Sequence, residues 1–294
     1  MKKFEIKHAL VCLDLSNNDK AVLDYLSKFK NLLQIQKATV MHVVPAVQLY
    51  HAGTSSTLQP ITTEVAAAIQ QMVAKKQITE DPKKTKVLVV EGDPLEEILA
   101  EIEKSKIDLV VLGKSEEEGS FGLLMKNTLR KTTAHALVVP AGTKKKLSKI
   151  MVPFDFSPNS IQALKTALRL NERLDKPAKV FAVNVYELPS IQTYRIGKTE
   201  EEVRQFLLED RREAFQHFLS TYFTEEERQL IDPQIVELKQ SSIGKELVDF
   251  ADKKKVNLIV QGAKGHSKVA LLLLGSVSEK VLQLTKHIPV LVIR

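Results

Sequence analysis

Residues 149–157 read KIMVPFDFS, and residues 8–16 read HALVCLDLS. In both stretches an apolar run ends in an aspartate, one more apolar residue and a serine, so that Asp155 matches Asp14. Similarity between distant parts of one chain indicates a duplicated structural unit. The two copies predict two similar domains in one polypeptide.

A second pair of matching stretches lies downstream in each copy. Asp108–Gly113 reads DLVVLG, and Asn257–Gly262 reads NLIVQG. The copies also end alike, with the apolar runs Ala136–Val139 and Val290–Ile293. The repeat therefore extends over the whole of each half.

The chain length agrees with two domains, since 294 residues is near the size at which one hydrophobic core stops growing. We expect a first domain at 1–140, a linker at 141–149 and a second domain at 150–294. The linker, AGTKKKLSK, contains four lysines and no acidic residue, and so holds most of the net charge of +7. No aromatic residue alternates with these lysines, which predicts a solvated linker and no nucleic-acid partner.

Between the anchors, each copy alternates apolar runs with segments of helical length. Continuous Val, Ile and Leu runs predict strands buried on both faces, and hence a parallel sheet with crossover helices. The predicted strands are 8–14, 38–44, 86–91, 107–112 and 136–140 in the first copy, and 149–155, 178–185, 233–238, 256–261 and 289–293 in the second. The predicted fold class is α/β, with two tandem, open, Rossmann-like parallel sheets of five strands each.

Capping residues predict where several helices begin. Ser157 can cap a helix from about Ser160 to Leu174, and Asp93-Pro94 opens a helix that continues to about Lys104. In the longer second copy, apolar residues recur at helical spacing, which predicts a face turned toward the core. These residues are Val203, Phe206, Leu207, Phe215, Phe218, Leu219 and Tyr222.

The loop after the fourth strand of the second copy reads GAKGHSKVALLLLGS at 262–276. Gly262 and Gly265 let the backbone approach a ligand closely and adopt positive φ at the sheet edge where ligands of α/β proteins bind. Gly275-Ser276 then begins a helix whose unpaired amides and dipole favour negative charge. This spacing predicts a polyphosphate site. The alternative is that the glycines only permit a tight turn and a close contact between helix and sheet.

These residues, with the segment Asn257–Arg294 and the start at Pro153, closely resemble ATP-binding domains of the universal stress protein family. The resemblance covers both repeats and implies a tandem, UspA-like member with the adenine nucleotide α-hydrolase-like fold. It implies that Asp155 contacts the adenosine, that Val152 and Pro153 line the adenine slot, and that Val183 adds a backbone contact. It places the phosphates on Gly262, Gly265, Gly275 and Ser276, beside Val277. The implied ligand is ATP, with Mg²⁺ as a companion.

The first copy departs from this pattern. Gly113 is followed by Lys114, Ser115 and three glutamates, Glu116–Glu118, which would repel phosphates. Gly119-Ser120 could still cap the next helix. We therefore expect that the first domain has lost nucleotide binding and that each chain binds one ATP.

Other residue types add few candidate sites. His266 in the loop could reach a phosphate or be only a solvent-exposed loop residue. No pair of histidines shows metal-ligand spacing, so no metal site is predicted. The single cysteine, Cys12, lies in an apolar run and is expected to be buried and inert. The N-terminal residues lack the apolar core of a signal peptide, and no eighteen apolar residues run together. A cytoplasmic protein without a membrane partner is expected.

Three functions remain open at the level of sequence. The first is a nucleotide-binding regulatory protein in the stress response, with no catalytic residue. The second is a weak ATPase or an autophosphorylating enzyme that uses Ser276, Ser267 or His266. The third is a protein-interaction module. Members of the family that the sequence resembles commonly pair through their last strands, and the apolar last strands here would otherwise be exposed edges. The two domains are therefore expected to pair through these strands, and the chain could also form a homodimer.

Overall fold

A computed structural model describes residues 4–45, 59–115, 121–189, 199–264 and 274–294, with side chains described from residue 62 in the second range. The chain divides into two compact units. The first consists mainly of Met1–Lys145, and the second mainly of Lys146–Ala270, Leu274–Thr285 and Val290–Arg294. Among the described residues, no helix is long and apolar enough to cross a membrane.

The first unit is a five-stranded sheet covered by helices. Its elements are β1 His8–Cys12, α1 Asn18–Lys28, α2 Lys30–Leu33, β2 Lys37–Pro45, α3 Gln59–Ala74, β3 Thr85–Gly92, α4 Pro94–Lys104, β4 Leu109–Lys114, α5 Leu123–Lys131 and β5 His135–Pro140. The strand order is β3-β2-β1-β4-β5, and every neighbouring pair is parallel.

The second unit repeats this arrangement. Its elements are β6 Lys149–Pro153, α6 Pro158–Glu172, β7 Lys179–Tyr186, α7 Glu200–Tyr222, α8 Glu225–Gln229, β8 Ile231–Glu237, α9 Ile243–Lys254, β9 Leu258–Gly262, α10 Ser276–Leu284 and β10 Val290–Ile293. The strand order is β8-β7-β6-β9-β10, again entirely parallel. The predicted α/β fold is confirmed, and each predicted strand overlaps an observed one.

The predicted helix starts are also confirmed where a polar cap was proposed. Ser157 accepts a hydrogen bond from the Ser160 amide at the start of α6. Asp93 accepts hydrogen bonds from the Leu95 and Glu96 amides at the start of α4. These caps satisfy amides that have no partner inside the helix.

The start of α5 differs from the prediction. This helix begins at Leu123 with Gly122 as its N-cap, so Gly119-Ser120, which lies outside the described residues, is not the cap. Gly122 therefore occupies in the first unit the place that Gly275 occupies at the start of α10. The prediction followed the Gly-Ser pair and therefore missed Gly122, the glycine at which the helix begins.

The apolar face predicted on α7 is only partly in the core. Val203, Phe215 and Leu219 are buried, whereas 63% of Phe206 and 43% of Tyr222 is exposed. Spacing identifies one face of a helix, but it does not tell how much of that face neighbouring elements cover. The prediction is therefore wrong for Phe206 and Tyr222.

The two central strands differ in how far they pair with their neighbours. In the first unit β1 pairs with β4 from Ala9 to Cys12. In the second, β6 pairs with β9 only at Ile150 and Met151. Pro153, which matches Cys12, has no amide hydrogen to donate, so it cannot extend the ladder. The β6 and β9 strands thus separate at their carboxyl ends.

Candidate binding site

A cavity of about 300 Å³ lies in the second unit, where β6 and β9 separate. The chain proceeds from β6 to β7 and β8 on one side and then returns to β9 and β10 on the other side of β6, so the strand order reverses here. In open parallel sheets, ligands bind in the crevice at this point. The lining residues are Pro153, Phe154, Asp155, Ser160, Val183, Asn184, Val185, Ile243, Leu247, Gln261, Gly262, Lys264, Gly275, Ser276, Val277 and Ser278.

Seven of the ten residues proposed from the sequence line this cavity. They are Pro153, Asp155, Val183, Gly262, Gly275, Ser276 and Val277. Val152 is fully buried inside β6 and is not among the lining residues. Gly265 and His266 lie outside the described residues.

The sequence did not point to the other nine lining residues. They are Phe154, Ser160, Asn184, Val185, Ile243, Leu247, Gln261, Lys264 and Ser278. Several directly follow or precede a predicted residue: Asn184 follows Val183 and Gln261 precedes Gly262, so including the chain neighbours of the predicted residues would have found both. Ile243 and Leu247 are four residues apart on α9, which places both on one helix face.

The turn after β6 holds the Asp155 carboxylate at the rim of the cavity. The Ser157 amide donates to Asp155 Oδ1 over 3.1 Å. Phe156, between them, has a left-handed φ of 63°, which is unfavourable for a bulky residue. Its ring lies against the rings of Phe154 and Phe215, with centroids 5.3 Å and 5.1 Å away. This aromatic packing stabilises the strained turn and therefore fixes Asp155.

The start of α10 forms another part of the cavity wall. Its N-cap, Gly275, has no side chain to cap the helix, and the Gly275 amide donates to the Ala263 carbonyl over 2.8 Å. The next three amides, of Ser276, Val277 and Ser278, have no acceptor within the helix. These amides and the helix dipole favour an anion at this wall, and Lys264 adds a cationic side chain to the lining.

Gly262 acts through close packing and not through an unusual backbone angle. Its φ is not in the left-handed region, so the expected positive φ is wrong for Gly262, while Gly265, of which the same was expected, lies outside the described residues. A Cβ at Gly262 would lie 2.8 Å from the Cβ of Asn159. Gly262 thus lets β9 approach the first turn of α6, as the alternative interpretation of this glycine proposed.

The first unit has a cavity at the equivalent place, with a volume of about 450 Å³. It is lined by Cys12, Leu13, Asp14, Asn18, Asp19, Met41, His42, Val43, Pro45, Pro94, Ile98, Leu112, Gly113, Ser115, Gly122, Leu124 and Met125. Glu116–Glu118 lie outside the described residues. Where α10 begins with Ser276 and Val277, α5 begins with Leu123 and Leu124, which are 74% and 42% exposed. The helix start in the first unit is therefore apolar.

A buried carboxylate distinguishes the first cavity further. Asp19, which is 3% exposed, takes the place of Ser160 and accepts hydrogen bonds from the Asp14 and Leu15 amides. Burial raises the pKa of Asp19 to about 7, and the nearby Asp14 carboxylate shifts it in the same direction. Cys12 is half-buried, not fully buried as expected, but desolvation raises the pKa of its thiol to about 12, so little nucleophilic thiolate forms at neutral pH.

Comparison with known proteins identifies the family of this chain. The model of the universal stress protein family matches residues 5–138 and 146–294. Universal stress protein MJ0531 of Methanocaldococcus jannaschii is 32% identical over 146 residues, which is 50% of this chain and 81% of that protein. The chain therefore belongs to the universal stress protein family, as a tandem member.

Solved structures of similar fold span nearly the whole chain. A universal stress protein from Archaeoglobus fulgidus superposes with a TM-score of 0.63 at 19% identity, covering 99% of this chain and 97% of that one. A putative universal stress protein from Pseudomonas aeruginosa gives a TM-score of 0.60 at 15% identity, covering 98% and 93%. At these identities the likeness concerns the fold.

Proposed function

We propose that this tandem universal stress protein binds one ATP per chain, in its second domain, and acts as a nucleotide-dependent regulatory protein in the stress response. The observation that carries the proposal is the uncapped start of α10, which faces the same cavity as Asp155. An anion-binding wall and a carboxylate in the same cavity suit a ligand with a charged end and a hydroxyl-bearing end. ATP has this distribution of groups.

The two ends of the ligand follow from the chemistry of the two walls. The triphosphate lies at the amides of Ser276 and Val277, near Lys264, where both the dipole and the ammonium group favour negative charge. The sugar lies toward Asp155, because a carboxylate accepts hydrogen bonds from hydroxyl groups and repels phosphates. Gly265 and His266 remain proposed phosphate contacts, and Mg²⁺ a proposed companion of the triphosphate.

The first domain does not bind ATP in this proposal. The apolar start of α5 replaces polar residues next to the helix amides, and Asp14 and Asp19 place two carboxyl groups at the cavity. Neither the apolar helix start nor the carboxyl groups favour binding of a phosphate chain. The first domain then serves as scaffold and interface.

Calorimetric titration of the intact chain with MgATP tests the stoichiometry, for which we expect one. A value near two would mean that the first cavity also binds. Repeating the titration without Mg²⁺ tests the metal. At a hundredfold excess of ATP over Kd, binding should stabilise the second domain by about 2.7 kcal/mol.

Incubating the protein with ATP that carries a labelled γ-phosphate distinguishes an ATPase or autophosphorylating enzyme from a protein that only binds the nucleotide. We expect binding with neither phosphate release nor transfer, since Asp155 is the one carboxylate among the described lining residues and it belongs to the sugar end. Release of labelled phosphate would favour an ATPase. Label retained on the protein would favour autophosphorylation, for example at Ser276.

We also propose that the two domains pair through β5 and β10, each the last strand in the order of its own sheet. Apolar edge strands tend to associate, which supports this pairing and leaves a homodimer of whole chains as a further step. Slow hydrogen exchange throughout β5 and β10 is expected. Fast exchange in either strand would contradict the pairing, and sedimentation of the intact chain would measure the homodimer.

A further inference from the structure

Two buried amide side chains in the lining of the second cavity are anchored at their nitrogen ends. Asn184 Nδ2 donates to the Phe154 carbonyl over 2.8 Å. Gln261 Nε2 donates to the Ser278 carbonyl over 3.1 Å. Asn184 is 6% exposed and Gln261 is 2% exposed. Both side chains are therefore held in place within the wall of the cavity.

The oxygen ends of the same two amides are unsatisfied. Asn184 Oδ1 and Gln261 Oε1 are buried and have no hydrogen-bond donor among the residues that the structure describes. Buried polar atoms are nearly always paired in folded proteins, because an unpaired buried acceptor is destabilising. Two such acceptors lining one cavity indicate a ligand that supplies donors.

The anchors also fix which end of each amide faces the ligand. Turning either amide over would place its oxygen against a backbone carbonyl oxygen, which cannot donate a hydrogen bond. The unpaired atom of each side chain is thus its acceptor oxygen. A ligand group that meets either oxygen must carry an N–H or an O–H.

The first cavity lacks this pair of acceptors. His42 takes the place of Asn184, with its Nδ1 at 2.9 Å from the Leu13 carbonyl, and Leu112 takes the place of Gln261. Both units keep the side-chain contact from the second strand to a backbone carbonyl after the first strand. Only the second unit has an amide acceptor on its fourth strand. The acceptors accompany the cavity that has the anion-binding wall.

The strand order places the two acceptors at different parts of an elongated ligand. Gln261 is on β9, which leads into the anion-binding wall, and Asn184 is on β7, beyond β6. Strands two positions apart in a sheet are separated by about 10 Å, which is close to the length of a nucleoside. A ligand with phosphates at α10 brings its sugar near Gln261 and its base near Asn184.

We propose that Asn184 and Gln261 determine the specificity of the site for the nucleoside: Asn184 Oδ1 accepts from an amino group of the base, and Gln261 Oε1 accepts from a ribose hydroxyl. This assignment rests on the proposed function. It makes the site selective for a 6-aminopurine ribonucleotide. A 6-oxopurine would place a carbonyl oxygen against Asn184 Oδ1, and a deoxyribose would leave Gln261 unpaired.

Titrating the intact chain with ATP and with ITP tests the role of Asn184. ITP differs from ATP by an oxygen in place of the 6-amino group, and we expect it to bind at least about tenfold more weakly, because a buried acceptor is left unpaired. Asn184→Leu should bring the two affinities together, mainly by weakening ATP. His42→Leu removes the matching anchor in the first unit and should leave the ratio unchanged.

The outcomes separate this proposal from the proposed function. Equal affinities of the wild-type chain for ATP and ITP would overturn the role of Asn184 and leave ATP binding intact. Absence of binding by either nucleotide would overturn both. The wild-type ratio is informative even if Asn184→Leu does not fold.

The role of Gln261 is tested with 2′-deoxy-ATP and 3′-deoxy-ATP. We expect at least one of them to bind the wild-type chain several-fold more weakly than ATP, and Gln261→Leu to abolish that difference. Leucine occupies the matching position in the first unit as Leu112, so the fold accommodates it there. If the Gln261→Leu variant still binds the deoxynucleotides more weakly than ATP by the wild-type factors, this role of Gln261 is overturned.

Discussion

The two cavities of this chain are built on the same strands and turns but present opposite chemistry. In both units an aspartate lies two residues after the first strand, and its Oδ1 accepts a hydrogen bond from the amide two residues further on. The residue between the two has a left-handed φ. In both units, a glycine starts the helix after the fourth strand. The shared scaffold is thus the turn and the helix start.

The difference between the units lies in a few side chains at matching places. Proline replaces cysteine at the end of the first strand, serine replaces the buried aspartate, and polar residues replace leucines on the fourth strand and at the helix start. These pairs are Pro153 and Cys12, Ser160 and Asp19, Gln261 and Leu112, and Ser276 and Leu123. Duplication therefore preserved the geometry of the site while its charge changed.

The largest expected effect comes from a charge placed at the start of α10. Ser276→Asp should lower ATP affinity at least about a hundredfold, since two unit charges 4 Å apart repel by about 4 kcal/mol at an effective dielectric of 20. The helix itself should be stabilised slightly, because acidic residues favour a helix N-terminus. Titration calorimetry and thermal unfolding measure the two effects.

Leu123→Asp is the matched control, because it adds the same charge to the matching helix start in the first unit. ATP affinity should not change in this variant. A loss of affinity in Leu123→Asp similar to that in Ser276→Asp would show that the two helix starts act alike, and the comparison of the two cavities would fail.

The next largest effect is expected at the aspartates that follow the first strand of each unit. Asp155→Ala should weaken ATP binding by about 1.5–3 kcal/mol, the usual contribution of a hydrogen bond to a charged group. Asp14→Ala removes the same turn hydrogen bond in the first unit, so both variants share any cost to the fold. Equal ATP affinities of the two variants would remove Asp155 from the site.

A smaller effect, on stability, is expected at the matching strand-end glycines. Gly262→Ala should destabilise the second domain by about 1–3 kcal/mol, because its Cβ would lie 2.8 Å from the Asn159 Cβ and 3.1 Å from the Asn159 carbonyl. Gly113→Ala would meet Val22 Cγ2 at 3.1 Å, and this side-chain tip can move. We expect less than about 1 kcal/mol there.

Hydrogen exchange of the intact chain resolves these two glycine variants, since the domains can unfold separately. Faster exchange should appear in the β6 and α6 amides of Gly262→Ala and be nearly absent from the first domain of Gly113→Ala. Equal destabilisation would mean that helix and sheet approach each other equally closely in both units.

Sequence reasoning predicted the parts of this molecule that depend on local patterns. Continuous apolar runs gave the strands, and Ser157 and Asp93 gave two helix starts, because a cap and its partner amides lie within three residues of each other. Glycine spacing led to Gly262, Gly275 and Ser276, and the family resemblance led to the other four of the seven predicted residues that line one cavity. Their binding role stays a prediction.

Other parts depend on contacts between distant residues. The importance of Gln261 follows from the early end of the β6–β9 ladder and from its bond to Ser278, neither of which shows in a local pattern. Asn184 likewise depends on the Phe154 carbonyl thirty positions away in the chain. The exposure of Phe206 and Tyr222 depends on which elements pack over α7.

A further expected effect, on the pH dependence of stability, concerns Asp19. Its pKa of about 7 in the folded chain lies above the ordinary value of 3.8, so between these values the folded state keeps a proton that the unfolded state releases. The stability contributed by this group is then highest at low pH and falls as pH rises toward 7, by at most about 1.4 kcal/mol per unit.

Asp19→Ser introduces the residue that the second unit has at Ser160 and removes this titration. Serine also loses the two hydrogen bonds from the Asp14 and Leu15 amides, so the absolute stabilities of the two chains differ for a second reason. The informative quantity is therefore the change with pH. Urea unfolding followed by circular dichroism at pH 5 to 8 should show the wild-type chain losing stability relative to Asp19→Ser. Parallel pH profiles would mean that the Asp19 carboxyl is ionised in both states, held charged by those two amides, and that Asp19 adds a full negative charge to the first cavity at neutral pH.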